Sequence, residues 1–146
     1  IELQDAVVGQ DEHVGVVLVN IDGDAVHLLV PNVLPRAHGR ELDEALRAFI
    51  TASQLNPRLC PPHNNVGLIY LRRRDLERAE RSLLRGLRQC PNYAEPHLHL
   101  GHIYAQRGDL VKAQKQWAQC KKLSSDNDLG LRCTRLLREG QQGLRP

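Results

Sequence analysis

The sequence predicts an all-α fold of repeated helix–turn–helix units with a short β-hairpin ahead of them, and three observations carry that prediction. Residues 60–93 laid over 94–127 match at one fixed offset of 34. Within each unit apolar side chains recur at i, i+3, i+4 and i+7, the spacing of one buried helical face. Ahead of the repeats, two β-branched runs flank Asp22-Gly23, a strong short-range hairpin signal.

The hairpin comes first in the chain. In "GVVLVNIDGDAVHLLV" (15–30) a two-residue turn sets Val19 opposite Val26 and Val17 opposite Leu28. An isolated hairpin is marginal in water, so this one must lean on the helices or on something missing from the chain. Residues 1–36 are therefore read as an appendage with a hairpin over 14–30, and 37–146 as the helical domain. "PNVLPRAHGR" (31–40) joins the two. The "NIDGD" stretch hints at a calcium loop, but Pro31 stands where the twelfth-position acid belongs.

Next, "ELDEALRAFITASQLNP" (41–57) places Ala45, Phe49 and Pro57 34 residues before Ala79, Leu83 and Pro91. It reads as the second helix of an earlier unit. The matching first helix, around 26–40, contains Pro31, Pro35 and Gly39 and cannot be regular.

The two full units then repeat side chain for side chain. Pro62, His63, Gly67, Ile69 and Tyr70 recur as Pro96, His97, Gly101, Ile103 and Tyr104. Arg73, Asp75, Leu76 and Ala79 recur as Arg107, Asp109, Leu110 and Ala113. The prolines suit helix starts, where a missing N–H costs nothing. The stripes His63/Val66/Gly67/Tyr70 and His97/Leu100/Gly101/Tyr104 face the core. A mid-helix glycine costs about 1 kcal/mol against alanine, so Gly67 and Gly101 imply close approach of a neighbouring helix. Asp75 and Asp109 end short turns and cap the next helices. Those second helices carry Leu76, Ala79, Leu83 and Leu87 in one unit, and Leu110, Ala113 and Trp117 in the other. A terminal helix follows, capped by Asn127 or Asp128, with Leu129, Cys133, Leu136 and Leu137 on one face to cover the end of the stack.

These features over 60–127 resemble the tetratricopeptide repeat (TPR) family, whose 34-residue helix–turn–helix units stack into a right-handed solenoid. The resemblance implies a non-catalytic protein-interaction module or scaffold that holds a peptide or partner segment along its first helices. Residues of those helices not spent on the buried stripe are the expected lining: Asn64, Leu68, Leu71 and Arg72, then Leu98, His102, Ala105 and Gln106, with Arg132 from the terminal helix. The Lys/Asn/Arg clamp by which part of the family grips chaperone C-termini is not reproduced, because Asn64, Leu68, Leu98 and His102 hold the matching places.

Two rival readings rest on other side chains. Arg78, Arg81, Arg85 and Arg88 form one stripe opposite the leucines. That stripe is a solvated face helped by the Glu77–Arg81 pair, or a surface for an acidic or nucleic-acid partner. "EPHLHLGHIY" (95–104) crowds three histidines into six positions. Successive residues advance about 100°, so His97 and His99 cannot share a metal. His97 is expected to pack with its N–H satisfied. His99 and His102, as i, i+3 neighbours, are the one metal alternative, and otherwise surface histidines.

Composition excludes more than it selects. The chain has 146 residues, 41% hydrophobic and 25% charged, which fits one ordinary domain. Its longest apolar run, 14–20, is far short of the roughly 20 residues that span a bilayer. A net charge of +3 and few aromatics make nucleic acid an unlikely partner. No nucleophile motif or phosphate loop is present, and no catalytic residue or cofactor is expected. The four cysteines form no C-x-x-C pair and are expected to be free. The start at "IELQ" suggests a trimmed or processed product. The compartment stays open, with the irregular cysteines and the lack of a visible signal leaning toward the cytoplasm.

Overall fold

The computed structural model describes residues 14–21, 24–31, 39–124 and 127–143. Strand β1 (Val14–Ile21) pairs antiparallel with β2 (Asp24–Pro31). Val19 stands opposite Val26 and Val17 opposite Leu28, the register that a two-residue turn dictates. The turn residues Asp22 and Gly23, most of the joining stretch (32–38) and the first thirteen residues lie outside the described ones. Of the two strands, β2 comes against the first helix.

Among the described residues six helices follow: α1 (Arg40–Leu55), α2 (Cys60–Arg72), α3 (Leu76–Gln89), α4 (Glu95–Gln106), α5 (Leu110–Leu123) and α6 (Asp128–Gly143). α2 pairs with α3, and α4 with α5. The helix before the repeats and the helix after them are both present, α1 packing on α2 and α6 on α5. The caps are those the turns predict. Asp75 accepts from the Arg78 N–H and Asp109 from the Lys112 N–H, both at 3.0 Å. Asn127 caps α6 through the Gly130 N–H at 3.0 Å.

The core runs down the stack in three clusters. Leu42, Ala45, Phe49 and Ala52 of α1 meet Val66 and Ile69 of α2. Ala79 and Leu83 of α3 meet Leu100 and Ile103 of α4. Leu98, Ala113, Trp117, Cys120 and Cys133 tie α4, α5 and α6 together, with Leu129, Leu136 and Leu137 packed on them. The mid-helix glycines have the reason expected of them. A Cβ on Gly67 would stand 2.7 Å from Leu83, and one on Gly101 would lie inside the indole of Trp117. That indole also donates to the Leu98 carbonyl at 3.3 Å. Gly86 is a third such position, where a Cβ would meet the His63 Cβ at 2.9 Å.

The cysteines depart from the expectation that they are free. Cys60 is bonded to Cys90, with their Cα atoms 5.9 Å apart, and Cys120 to Cys133, at 6.1 Å. The cause is the helical hairpin itself. Cys60 opens α2 and Cys90 ends α3, so two antiparallel helices joined by a short turn bring their far ends together. Cys120, in the last turn of α5, meets Cys133, in the first half of α6, close to the turn that joins those helices, and both are fully buried.

Candidate functional site

In a stack of helix pairs the first helices line the inner side, and α2 and α4 are direct neighbours here. Along them Leu68, Leu71, Ala105 and His102 are half-buried, and Arg72 and Gln106 are exposed. Arg132 of α6 is exposed beside them. Asn64 and Leu98 differ from the sequence expectation of an open lining. Asn64 is 5% exposed, and its Oδ1 is buried without a hydrogen-bond partner among the described residues. Leu98 is 1% exposed because α6 closes over it through Cys133. Both belong to the layer beneath the surface.

One group of polar side chains on this side is drawn together by the fold. The His99 and His102 rings lie 6.3 Å apart, and His102 meets the Trp117 indole edge-on at 6.0 Å. Burial pushes the His99 imidazole down to about 4, helped by His102 and by the Arg132 guanidinium. Burial and Arg132 lower His102 as well. Both rings are therefore neutral at neutral pH, and neither is the open surface histidine of the sequence reading. Each keeps donor and acceptor nitrogens for a partner, while Arg132 supplies the charge. That same charge opposes a metal cation as it opposes a proton. Among the described residues no group of three His, Cys, Asp or Glu stands where it could hold a metal.

The remaining candidates have structural partners. His97 donates from Nδ1 to Gln116 Oε1 at 2.8 Å, the N–H partner expected of it, while its Nε2 is buried without a partner among the described residues. His63 donates from Nε2 to the Pro57 carbonyl at 3.0 Å. The arginine stripe divides. Arg78 pairs with Asp75 at 3.3 Å and covers the Tyr70 ring at 5.7 Å, and Arg81 reaches Glu77 at 3.9 Å. Arg85 and Arg88 have no acidic partner among the described residues. No helix among the described residues is long and apolar enough to cross a membrane.

No family model and no curated protein matches the chain in sequence. Solved structures do match in fold. The Pseudomonas aeruginosa protein PcrH, in complex with the chaperone binding region of PopD, superposes with a TM-score of 0.66 at 18% identity, covering 72% of this chain and 82% of that one. The first TPR of Spaghetti (RPAP3), bound to the HSP90 peptide SRMEEVD, gives 0.63 at 20% identity over 71% of this chain and 80% of that one. The thermophilic TPR protein TTC0263 of Thermus thermophilus gives 0.58 at 29% identity over 70% of this chain and 56% of that one. The chain has a TPR-like fold.

Proposed function

We propose that this chain is a non-catalytic interaction module that holds a peptide or partner segment along α2, α4 and α6. The observation that carries the reading is the cluster of His99, His102 and Arg132 on α4 and α6, with the half-buried Leu68 and Leu71 on the neighbouring α2. Apolar surface, neutral imidazoles and one guanidinium together suit a main chain with an anionic group near one end. Support comes from PcrH and the RPAP3 repeat, two neighbours of the same fold solved with bound polypeptide. The contact residues are Leu68, Leu71, Arg72, His102, Gln106 and Arg132, with Asn64 and Leu98 shaping the floor beneath them.

Photo-crosslinking tests the surface directly. A crosslinker at Gln106 is expected to capture a partner polypeptide that one at Leu84, exposed on α3, does not. The double substitution Leu68→Ala/His102→Ala is expected to abolish that capture. Capture that persists unchanged in the double variant refutes the assignment.

A further inference from the structure

The two repeats differ on the side formed by their second helices. Tyr104 and Arg107 of the second repeat both donate to Glu80 on α3 of the first, the Tyr104 hydroxyl at 2.8 Å. The Lys112 ammonium lies 5.7 Å from the centre of the Tyr104 ring. Burial alone would raise the Glu80 pKa, but the bonds from Arg107 and Tyr104 hold it below the ordinary value. The second repeat thus finds its carboxylate on the unit before it. Thirty-four residues earlier stand Tyr70, Arg73 and Arg78, the same kinds of side chain, yet Leu46 occupies the place of Glu80. Arg73 turns instead to Asp43.

A second replacement opens space. Gln116 spans to His97, whereas its counterpart, Ser82, is too short to reach His63. Beside α3 this leaves a cleft of about 270 Å³ walled by Tyr70 of α2 and by Arg78, Arg81, Ser82 and Arg85. It continues past Tyr70 and Ser82 into a space of about 170 Å³ over Ile50 and Val66. No acidic side chain lines either part. The Ser82 hydroxyl is also unspent. Thr51, Ser53, Ser124 and Thr134 each donate to a carbonyl one helical turn back, but Ser82 makes no such bond among the described residues.

The geometry points to this cleft as a binding site for an acidic peptide segment of a protein partner. A side-chain carboxylate sits among Arg78, Arg81, Arg85 and Ser82, and an adjacent apolar side chain rests on Ile50 and Val66. Of the cleft's side chains, Tyr70 is the counterpart of Tyr104, whose hydroxyl finds its carboxylate in Glu80. Charge and length agree with it. Arg78, Arg81, Ser82 and Arg85 share one helix face at i, i+3, i+4 and i+7. They span about 10 Å, roughly three residues of extended peptide, which is short for the multiple phosphate contacts of a nucleic acid. Arg88 lies on the same helix and outside the cleft. The site does not use the α2–α4–α6 surface, so either assignment stands if the other fails.

The test titrates the full, oxidised chain with a fluorescein-labelled peptide alternating glutamate and leucine, and with its glutamine counterpart, by anisotropy. The glutamate peptide is expected to bind at least about tenfold tighter, the scale of one charge-assisted contact. Arg85→Glu and Ser82→Gln, the latter installing the residue of the second repeat, are expected to remove that preference. Arg88→Glu makes the same charge change outside the cleft and is expected to leave affinity unaltered, as is Leu68→Ala/His102→Ala. Circular dichroism melts establish that each variant is folded. Equal loss in Arg88→Glu and Arg85→Glu, equal affinity for the two peptides, or displacement of the peptide by a single-stranded oligonucleotide overturns the proposal.

Discussion

Arg74 and Gly108 occupy the same place in successive repeats, and both are left-handed, with φ of 59° and 81°. Only glycine takes that conformation without a steric cost. Arg74→Gly is therefore expected to stabilise the chain by about 0.5–1 kcal/mol, net of the freedom glycine adds to the unfolded state. A thermal melt registers this as a rise of a few degrees. His99 sets a second residue-scale expectation. Its folded pKa of about 4 lies below the unfolded value near 6.5. Between those values the unfolded chain binds the extra proton, so stability is complete above about pH 6.5 and is lost as pH falls toward 4. His99→Gln should flatten that part of the stability–pH curve, measured by denaturant midpoints. The pairing of His99 with His102 was open to sequence reasoning from their i, i+3 spacing. Their burial was not, because it depends on Trp117 and on the approach of α6.

At the scale of elements, the 34-residue period and its proline, glycine and aspartate punctuation made every helix readable. Arg73 and Arg107 recur because each reaches back to an acid on the second helix of the preceding unit, Asp43 or Glu80. Such partly exposed pairs are worth up to about 1 kcal/mol each, so they set the angle between units more than they hold them together. The cysteine pairs stayed hidden, since their spacing in the chain reports nothing about which helix ends meet. Cys120–Cys133 is buried under α6, while Cys60 and Cys90 are partly exposed. Mild reduction of the folded chain followed by alkylation is expected to label two thiols before four, counted by mass spectrometry. Replacing Cys120 and Cys133 together by alanine should cost about 3 kcal/mol, the scale for a loop of this length.

For the whole molecule, two bridges join a chain that also has a core of its own, and bridges of this kind persist in oxidising surroundings. Of the residues expected along the first helices, Leu68, Leu71 and His102 are half-buried and Arg72 and Gln106 exposed, whereas Asn64 and Leu98 lie a layer too deep. The cleft beside α3 was legible only in part. Its arginines stand out as a stripe, but its opening comes from what is missing, a carboxylate at Leu46 and a longer side chain at Ser82. The bridges also give the chain an uneven response to tension. Pulled from its ends, the oxidised molecule cannot release the residues enclosed by Cys60–Cys90 and Cys120–Cys133, which are 30 and 13 positions apart. Its contour is shortened by roughly 130 Å relative to the reduced chain. The stretches outside both bridges, namely α1, α4 and most of α5 and α6, lengthen fully under load, and an optical trap would resolve the difference as a step gained on adding reductant.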